Sequence, residues 1–422
     1  MCSRLDRDGK QNKNWRIKNL PVFFKYKENK MLVNKEASFV FSMACAVVGQ
    51  TELPLLEENL DWEQIYQISV YHRIENIVSY AVEQICKEEN RREPIPEEVR
   101  KQFQKAKVTG IMRETIQHHE YDKVTTLFEE EAVEHMLLKG GWLKYDYPSQ
   151  DMRFLTDLDI LVRKADADRV AILLEQLGYK MVCRSEKDDV YQKEPCMTIE
   201  IHKTSVVGYE SLDAYLEGIW ERSRKREGYK TEYLMTWEDF YLYQTGHMAK
   251  HFEHGGVGMR MLLDFLVFEN ERMSCCDRAL IEEQLKLAGL LKMEEKIREL
   301  LLKGIDRENP ENAIVWEYIL ESGTYGLFKF HVQKERNKHQ SKGAYYLGRV
   351  FPKREELLFN YPQFRKYPCG FLAAWFYRLF KNLIIAPDKT VGELRALRNE
   401  KEHQKVIACM REMGLEEKDE KI

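Results

Sequence analysis

Apolar residues recur three and four positions apart in residues 37–48 and 62–85, and after Pro94 and Pro96 the same spacing runs from 97 to about 130. That period predicts helices, so the first third of the chain reads as a helical domain. From residue 135 the period shortens. Alternating or short apolar runs at 135–139, 157–163, 179–183 and 197–203 read as strands, around a helix over about 166–177 that Gly178 ends. After 211 helical spacing returns at 212–220, 237–251, 259–268, 276–288 and 291–302. The pattern predicts an α+β fold: a small mixed β-sheet core over 131–222, flanked by mainly helical domains over 34–130 and 223–422. Residues 1–33 are charged, rich in Asn and Lys and without apolar periodicity, and read as a mobile leader. A frayed tail is expected from Glu416.

Composition narrows the classes. A chain of 422 residues can hold two or three domains with a sizeable core. The balance of 66 basic against 70 acidic residues, a formal charge of −4, argues against an extended nucleic-acid surface and leaves room only for a local basic patch. Nine cysteines, an odd number with no Cys-x-x-Cys pair, indicate neither a disulfide framework nor a zinc ribbon. A reducing cytoplasm is the expected compartment. The polar N-terminus is unlike a secretory signal, and no uncharged apolar run reaches the roughly 18 residues of a spanning helix.

The chemistry concentrates in the β-like part. Residues two apart on a strand share a face, so in Thr156-Asp157-Leu158-Asp159-Ile160 the two carboxylates point one way while Leu158 and Ile160 face a core. Residues 197–202 alternate again, with Thr198, Glu200 and His202 on one face, so a neighbouring strand can bring Glu200 to the same place. Three converging carboxylates suit a hard cation. Magnesium prefers oxygen ligands and often keeps substrate phosphates among them, and two such ions roughly 4 Å apart can clamp a phosphoryl displacement. The bland alternative is three acids on strand faces turned to solvent. Asp is nonetheless a poor strand residue, and two flanking one Leu call for a reason. Upstream, the backbone donors of Gly140-Gly141 and the charge of Lys139 can cradle an anion.

This order of a glycine turn, an Asp-x-Asp strand and a later acid resembles the DNA polymerase β-like nucleotidyltransferase superfamily. It is closer still to its branch of uncharacterised bacterial nucleotidyltransferases, whose pattern runs Lys-Gly, Arg, Asp-x-Asp, Glu-x-His, then His and Arg-x-x-x-Asp on a helical segment. The matching residues are Lys139-Gly140, Arg153, Asp157 with Asp159, Glu200 with His202, and His251, Arg260 and Asp264. Asp61-Trp62 with His72-Arg73-Ile74 resembles the branch's lead-in. Gly323-Thr324-Tyr325-Gly326, Tyr361-Pro362, Trp375 and Arg378 resemble its tail, so the likeness runs from about 35 to 385. The superfamily's turn is usually Gly-Ser, where this chain has Gly140-Gly141. The resemblance implies an enzyme that moves a nucleoside monophosphate from an NTP, ATP among them, to an acceptor hydroxyl, using two magnesium ions, with manganese as the alternative. It implies that Asp157 and Asp159 hold both ions and that Glu200 ligates the ion beside the attacking hydroxyl. Lys139, Gly140 and Gly141 would hold the triphosphate, and Arg153, His202, His251 and Arg260 would contact the nucleotide.

Other signals weigh less. His247, His251 and His254 have partial zinc-ligand spacing, but no Glu follows His247 as a metalloprotease base would, and glycines end the segment. The run Gly255-Gly256-Val257-Gly258 lacks the Lys-Ser/Thr of a phosphate loop and reads as a helix connection. Arg260 and Asp264, four apart, are spaced for a helix ion pair. The apolar window 371–385 has two charges, too few for a strongly basic membrane face, and reads as core or partner contact. The acceptor, whether a small molecule, a protein side chain or an RNA end, is not encoded legibly. Two rival readings remain: a catalytically weak nucleotide- or partner-binding protein acting through its helical domains, and an antitoxin-like enzyme that modifies a partner protein.

Overall fold

The structure, a computed structural model, describes residues 34–87, 95–195, 197–305, 309–324, 326–337, 342–367, 369–381, 392 and 396–415. The expected leader, Pro94, Cys196, Tyr325, the end of the 371–385 window and the tail from Glu416 lie outside the described residues.

The N-terminal helices are α1 (Lys35–Val48), α2 (Trp62–Tyr71), α3 (Glu75–Lys87) and α4 (Glu97–Glu130). Asn34 and Asp61 cap α1 and α2 by accepting from the N–H groups of Ala37 and Gln64. The stretch 62–85, which reads as one helical pattern, is two helices. Arg73 adopts φ 57°, a left-handed conformation that no right-handed helix continues through.

The α+β part follows as β1 (His135–Leu137), α5 (Lys139–Leu143), β2 (Leu158–Val162), α6 (Ala167–Gln176), β3 (Lys180–Arg184), β4 (Asp188–Lys193) and β5 (Met197–His202). The five strands form one mixed sheet in the order β1-β2-β5-β4-β3; β2 and β5 run parallel and the other neighbours antiparallel. Strand β4 is absent from the sequence-based expectation for a physical reason. Its inward position 189 is an Asp, fully buried and neutralised by Lys203 at 2.7 Å and Arg184 at 3.2 Å, so the apolar alternation is interrupted.

Next come α7 (Glu210–Leu216), α8 (Ile219–Arg222), the hairpin β6 (Arg224–Lys225) and β7 (Tyr233–Leu234), then α9 (Trp237–His254) and α10 (Met259–Glu271). The chain continues through α11 (Arg278–Leu287), α12 (Leu291–Lys303), α13 (Pro310–Ser322), α14 (Phe328–Asn337), α15 (Lys342–Val350), α16 (Arg354–Asn360), α17 (Gly370–Phe380) and α18 (Glu400–Glu412). The turn between α9 and α10 is a connection packed on backbone: a Cβ on Gly258 would lie 2.8 Å from Gly323 C, and one on Gly326 2.7 Å from Gly255 C.

Two cores set the architecture. Leu158, Ile160, Val162, Tyr191, Ile199 and Ile201 cover one sheet face and pack on α6 and the C-terminal half of α4. The larger core joins α1–α3 to α9–α13 and α18, so helices before and after the sheet share one interior. Phe41 of α1 meets Trp316 of α13 edge-on at 4.8 Å, a pairing of about 1 kcal/mol beyond its area burial. This shared core holds α9 against the other sheet face, the one that carries the carboxylates.

Candidate active site

The parallel register of β2 and β5 sets Asp159 opposite Glu200 and Leu161 opposite His202. Residues 159, 200 and 202 therefore share one face, while Leu158, Ile199 and Ile201 fill the core behind it. Asp157 lies in the bend just before β2, half-buried. Asp159 is 4% exposed, and its Oδ1 receives Lys139 Nζ at 2.7 Å and lies 2.7 Å from His202 Nε2. His202 Nε2 is 3.9 Å from Glu200 Oε2. One ligand atom from each of Asp159, Glu200 and His202 falls within 4.8 Å of the others, the one such group of metal-ligand side chains among the described residues.

The electrostatics show acids crowded beyond what the nearby cations neutralise. Burial pushes Glu200 up to about 8, helped by Asp157 and Asp159. Burial and Asp159 raise Asp157 as well, against the pull of Lys139 and Arg260. Burial also opposes ionisation of Asp159, but Lys139 and His202 outweigh it and hold its carboxyl at about 2. One carboxylate is thus locked charged while two neighbours resist losing their protons, the signature of a site short of positive charge.

Lys139 opens α5 with φ 51°, a strained conformation for a residue with a side chain. The Gly141 N–H donates to Leu138 O at 3.1 Å. Gly140 is required by a close approach: a Cβ there would stand 2.6 Å from Cζ and Nη2 of Arg153. That guanidinium is bidentate on Asp264, at 2.6 and 2.8 Å, and Tyr147 donates to the same carboxylate at 2.7 Å. The expected Arg260–Asp264 helix pair is therefore corrected: both oxygens of Asp264 are occupied by Arg153 and Tyr147. Arg260, 6% exposed, turns instead to Phe154 O and to the Phe154 ring, 4.9 Å away. Arg113 of α4 approaches the same ring at 5.4 Å. Burial and then Arg153 push Arg260 down to about 9, while its charge lowers the pKa of Asp157. This buried guanidinium therefore lies beside the acids and bonds to a backbone carbonyl.

Gly140→Ala is expected to displace the Arg153 fork and cost about 100-fold in turnover, the scale of a misplacement near 1 Å, with a much smaller change in melting temperature. Turnover and thermal unfolding of the same preparation check this, and full activity in the variant would contradict it.

Helix α9 supplies the opposite wall. Tyr243, His247 and His251 are four apart and line the cleft; His247 and His251 approach Nε2 to Nε2 at 3.2 Å, with ring centroids 4.5 Å apart. Burial raises Tyr243 to about 12, with Asp159 and Glu200 adding to it against Lys139. Desolvation in the cleft, then Lys139 and Lys250, push His251 down to about 4. Burial and Lys139 also keep His247 well below its ordinary value, and its Nδ1 is buried without a hydrogen-bond partner. His254 turns away, bonded to Lys250 O at 2.7 Å and stacked on His331, so the three histidines do not converge. The cleft thus brings together Lys139, Asp157, Asp159, Glu200, His202 and His251, with Arg260 at its edge and Arg153 behind Gly140. Sequence reasoning passed over Tyr243 and weighed His247 only as a zinc ligand. The spacing of 243, 247 and 251 on one helix face was the available signal for both.

No curated protein matches the chain, and no solved structure does. The model of a family described as "Uncharacterised nucleotidyltransferase" matches residues 58–302, more than half of the chain and all of the cleft described above. The chain belongs to that family of uncharacterised nucleotidyltransferases and is an enzyme of nucleotidyl transfer.

Proposed function

We propose that the protein is a magnesium-dependent nucleotidyltransferase of the polymerase β-like kind, moving a nucleoside monophosphate from an NTP to an acceptor hydroxyl. The observation that carries this reading is the Asp159–Glu200 register, which gathers carboxylate and imidazole ligand atoms within 4.8 Å and leaves them short of positive charge. The donor set suits a divalent cation: Asp159, Glu200 and Asp157 offer oxygen, and His202 orients Asp159 or joins it as a ligand. Bound there, magnesium or manganese would neutralise charge on the phosphates during transfer. In the reaction the acceptor oxygen bonds to the α-phosphorus, the bond from that phosphorus to the β-phosphate bridge oxygen breaks, and pyrophosphate leaves. Glu200 stands on the acceptor side to orient the hydroxyl, Lys139 meets the triphosphate, and Tyr243, 3% exposed, closes the α9 side of the cleft. Arg260 contributes charge at the cleft edge. Positioning and charge supply most of the rate, since phosphoryl-type transfer asks little covalent chemistry of the protein.

Lys139→Ala and Arg260→Ala should each weaken NTP binding by roughly 1.5–3 kcal/mol, the worth of a charge-assisted phosphate hydrogen bond. Titration of NTP by calorimetry checks both; unchanged affinity in either variant removes that residue from the nucleotide site.

The reading is tested by incubating the protein with each α-labelled NTP, magnesium and fractionated acceptor pools. Label from one NTP on a discrete product, lost in the Asp157→Asn/Asp159→Asn variant, is the expected result. NTP binding with no labelled product in small-molecule, protein or RNA fractions would overturn it in favour of a nucleotide-binding protein.

A further inference from the structure

A second surface, independent of the carboxylate cleft, lies on α15–α17. Eight of the seventeen exposed large apolar side chains among the described residues fall between 347 and 380, less than a tenth of the chain. On α17, Leu372, Phe376 and Phe380 follow one another every four residues and are 54%, 64% and 53% exposed, a continuous apolar stripe. The orientation of the helix is fixed from its other side. Trp375 Nε1 donates to Val350 O at 2.6 Å and its ring stacks on Phe351, Tyr377 meets Tyr361 edge-on, and Ala374 is buried. Ala374, on the side of the helix away from the stripe, is fully buried, so the stripe faces outward. In sequence the pattern continues with Leu383, Ile384 and Ile385.

The same segment reverses the charge of the molecule. Residues 342–381 hold eight Lys and Arg against two Glu, a charge of +6 in a chain of −4 overall. Lys353, Arg354, Arg365 and Lys366 are exposed. No helix among the described residues is long and apolar enough to cross a membrane, so an apolar stripe within a basic segment would lie on a surface and not span it.

We propose that α17 and its basic surroundings dock this protein on an anionic lipid surface. Charge selects this occupant. A second copy would bring +6 against +6, and self-repulsion disfavours it. A nucleic acid would use separated aromatic faces for stacking, whereas Leu372 and the continuous four-residue stripe suit insertion into the headgroup boundary.

Sedimentation of the full chain with phosphatidylcholine vesicles, with and without phosphatidylserine, tests the proposal. Binding should require phosphatidylserine and fall as salt is raised. Arg365→Glu/Lys366→Glu should weaken it about tenfold or more, at roughly fivefold per basic residue near the surface. Phe376→Ser/Phe380→Ser should abolish it while the circular dichroism spectrum and the magnesium-induced rise in melting temperature stay as in the wild type. Three results would overturn the proposal: equal binding to both vesicle types, wild-type binding by the Phe376→Ser/Phe380→Ser variant, or no vesicle binding. Because the cleft residues are untouched, failure here leaves the nucleotidyl-transfer reading intact, and loss of that reading leaves this one standing.

Discussion

Asp157→Asn is expected to reduce magnesium-dependent nucleotidyl transfer by at least about 1,000-fold while leaving the protein as stable as the wild type or slightly more so. The amide keeps the shape of the carboxyl but removes the charge a hard cation needs. In the metal-free chain that charge is a burden, since Asp157 is among the groups that push Glu200 up to about 8. Asp159→Asn should be equally inactive but less stable. Asp159 accepts from the Lys139 ammonium at 2.7 Å, with only 15% and 6% of the two side chains exposed, and removing one member of so enclosed a pair costs about 3 kcal/mol. Adding Lys139→Met to Asp159→Asn should recover much of that stability without recovering activity. Label transfer and chemical denaturation on the four proteins check the set. Retained turnover in Asp157→Asn would remove it from the metal site.

The second large effect concerns Glu200. Glu200→Gln should lower the transfer rate at saturating NTP by about 100-fold or more while changing NTP affinity little, as its proposed place on the acceptor side requires. Its pH signature is distinct. Folding raises this carboxyl from 4.5 to about 8, so between those values the folded chain keeps a proton that the unfolded chain has released. The contribution of Glu200 to metal-free stability is therefore full below pH 4.5 and is lost as pH rises through about 8. Asp159 has the opposite sign: held at about 2, its contribution is present above 3.8 and is lost as pH falls through about 2. Metal-free Glu200→Gln should match the wild type at pH 5 and melt a few degrees higher at pH 9. On the proposed ligand set magnesium would displace the Glu200 proton, so it should stabilise the wild type more at high pH and the variant little at any pH. Parallel melting curves for the two proteins across this range would contradict the assignment.

How far these residues can be read from sequence alone depends on the range of the interactions. Local spacing reveals helices and strand faces, so Asp157, Asp159 and Glu200 stand out as a group, and the register of Asp159 against Glu200 agrees with that reading. Interactions across long separations are invisible to it. Arg153 and Asp264 are 111 residues apart, and nothing local tells that their pairing frees Arg260 for Phe154. Strand β4 hides because a buried Asp189 interrupts its alternation, and the two-residue strands β6 and β7 are too short to carry a period. The exposed stripe of α17 shows the reverse limit. Its apolar spacing is plain in sequence and reads as core or partner contact, and only the exposure of Leu372, Phe376 and Phe380 in the fold shows that it faces solvent.

Transfer of a nucleoside monophosphate is tested most directly by parallel reactions with α-labelled and γ-labelled NTP in the presence of magnesium. Label should pass to the acceptor from the α position alone, with one pyrophosphate released for each product, and chelation of magnesium or Asp157→Asn should stop both. Label passing from the γ position, or α-label transfer that survives chelation and the Asp157→Asn change, would contradict it.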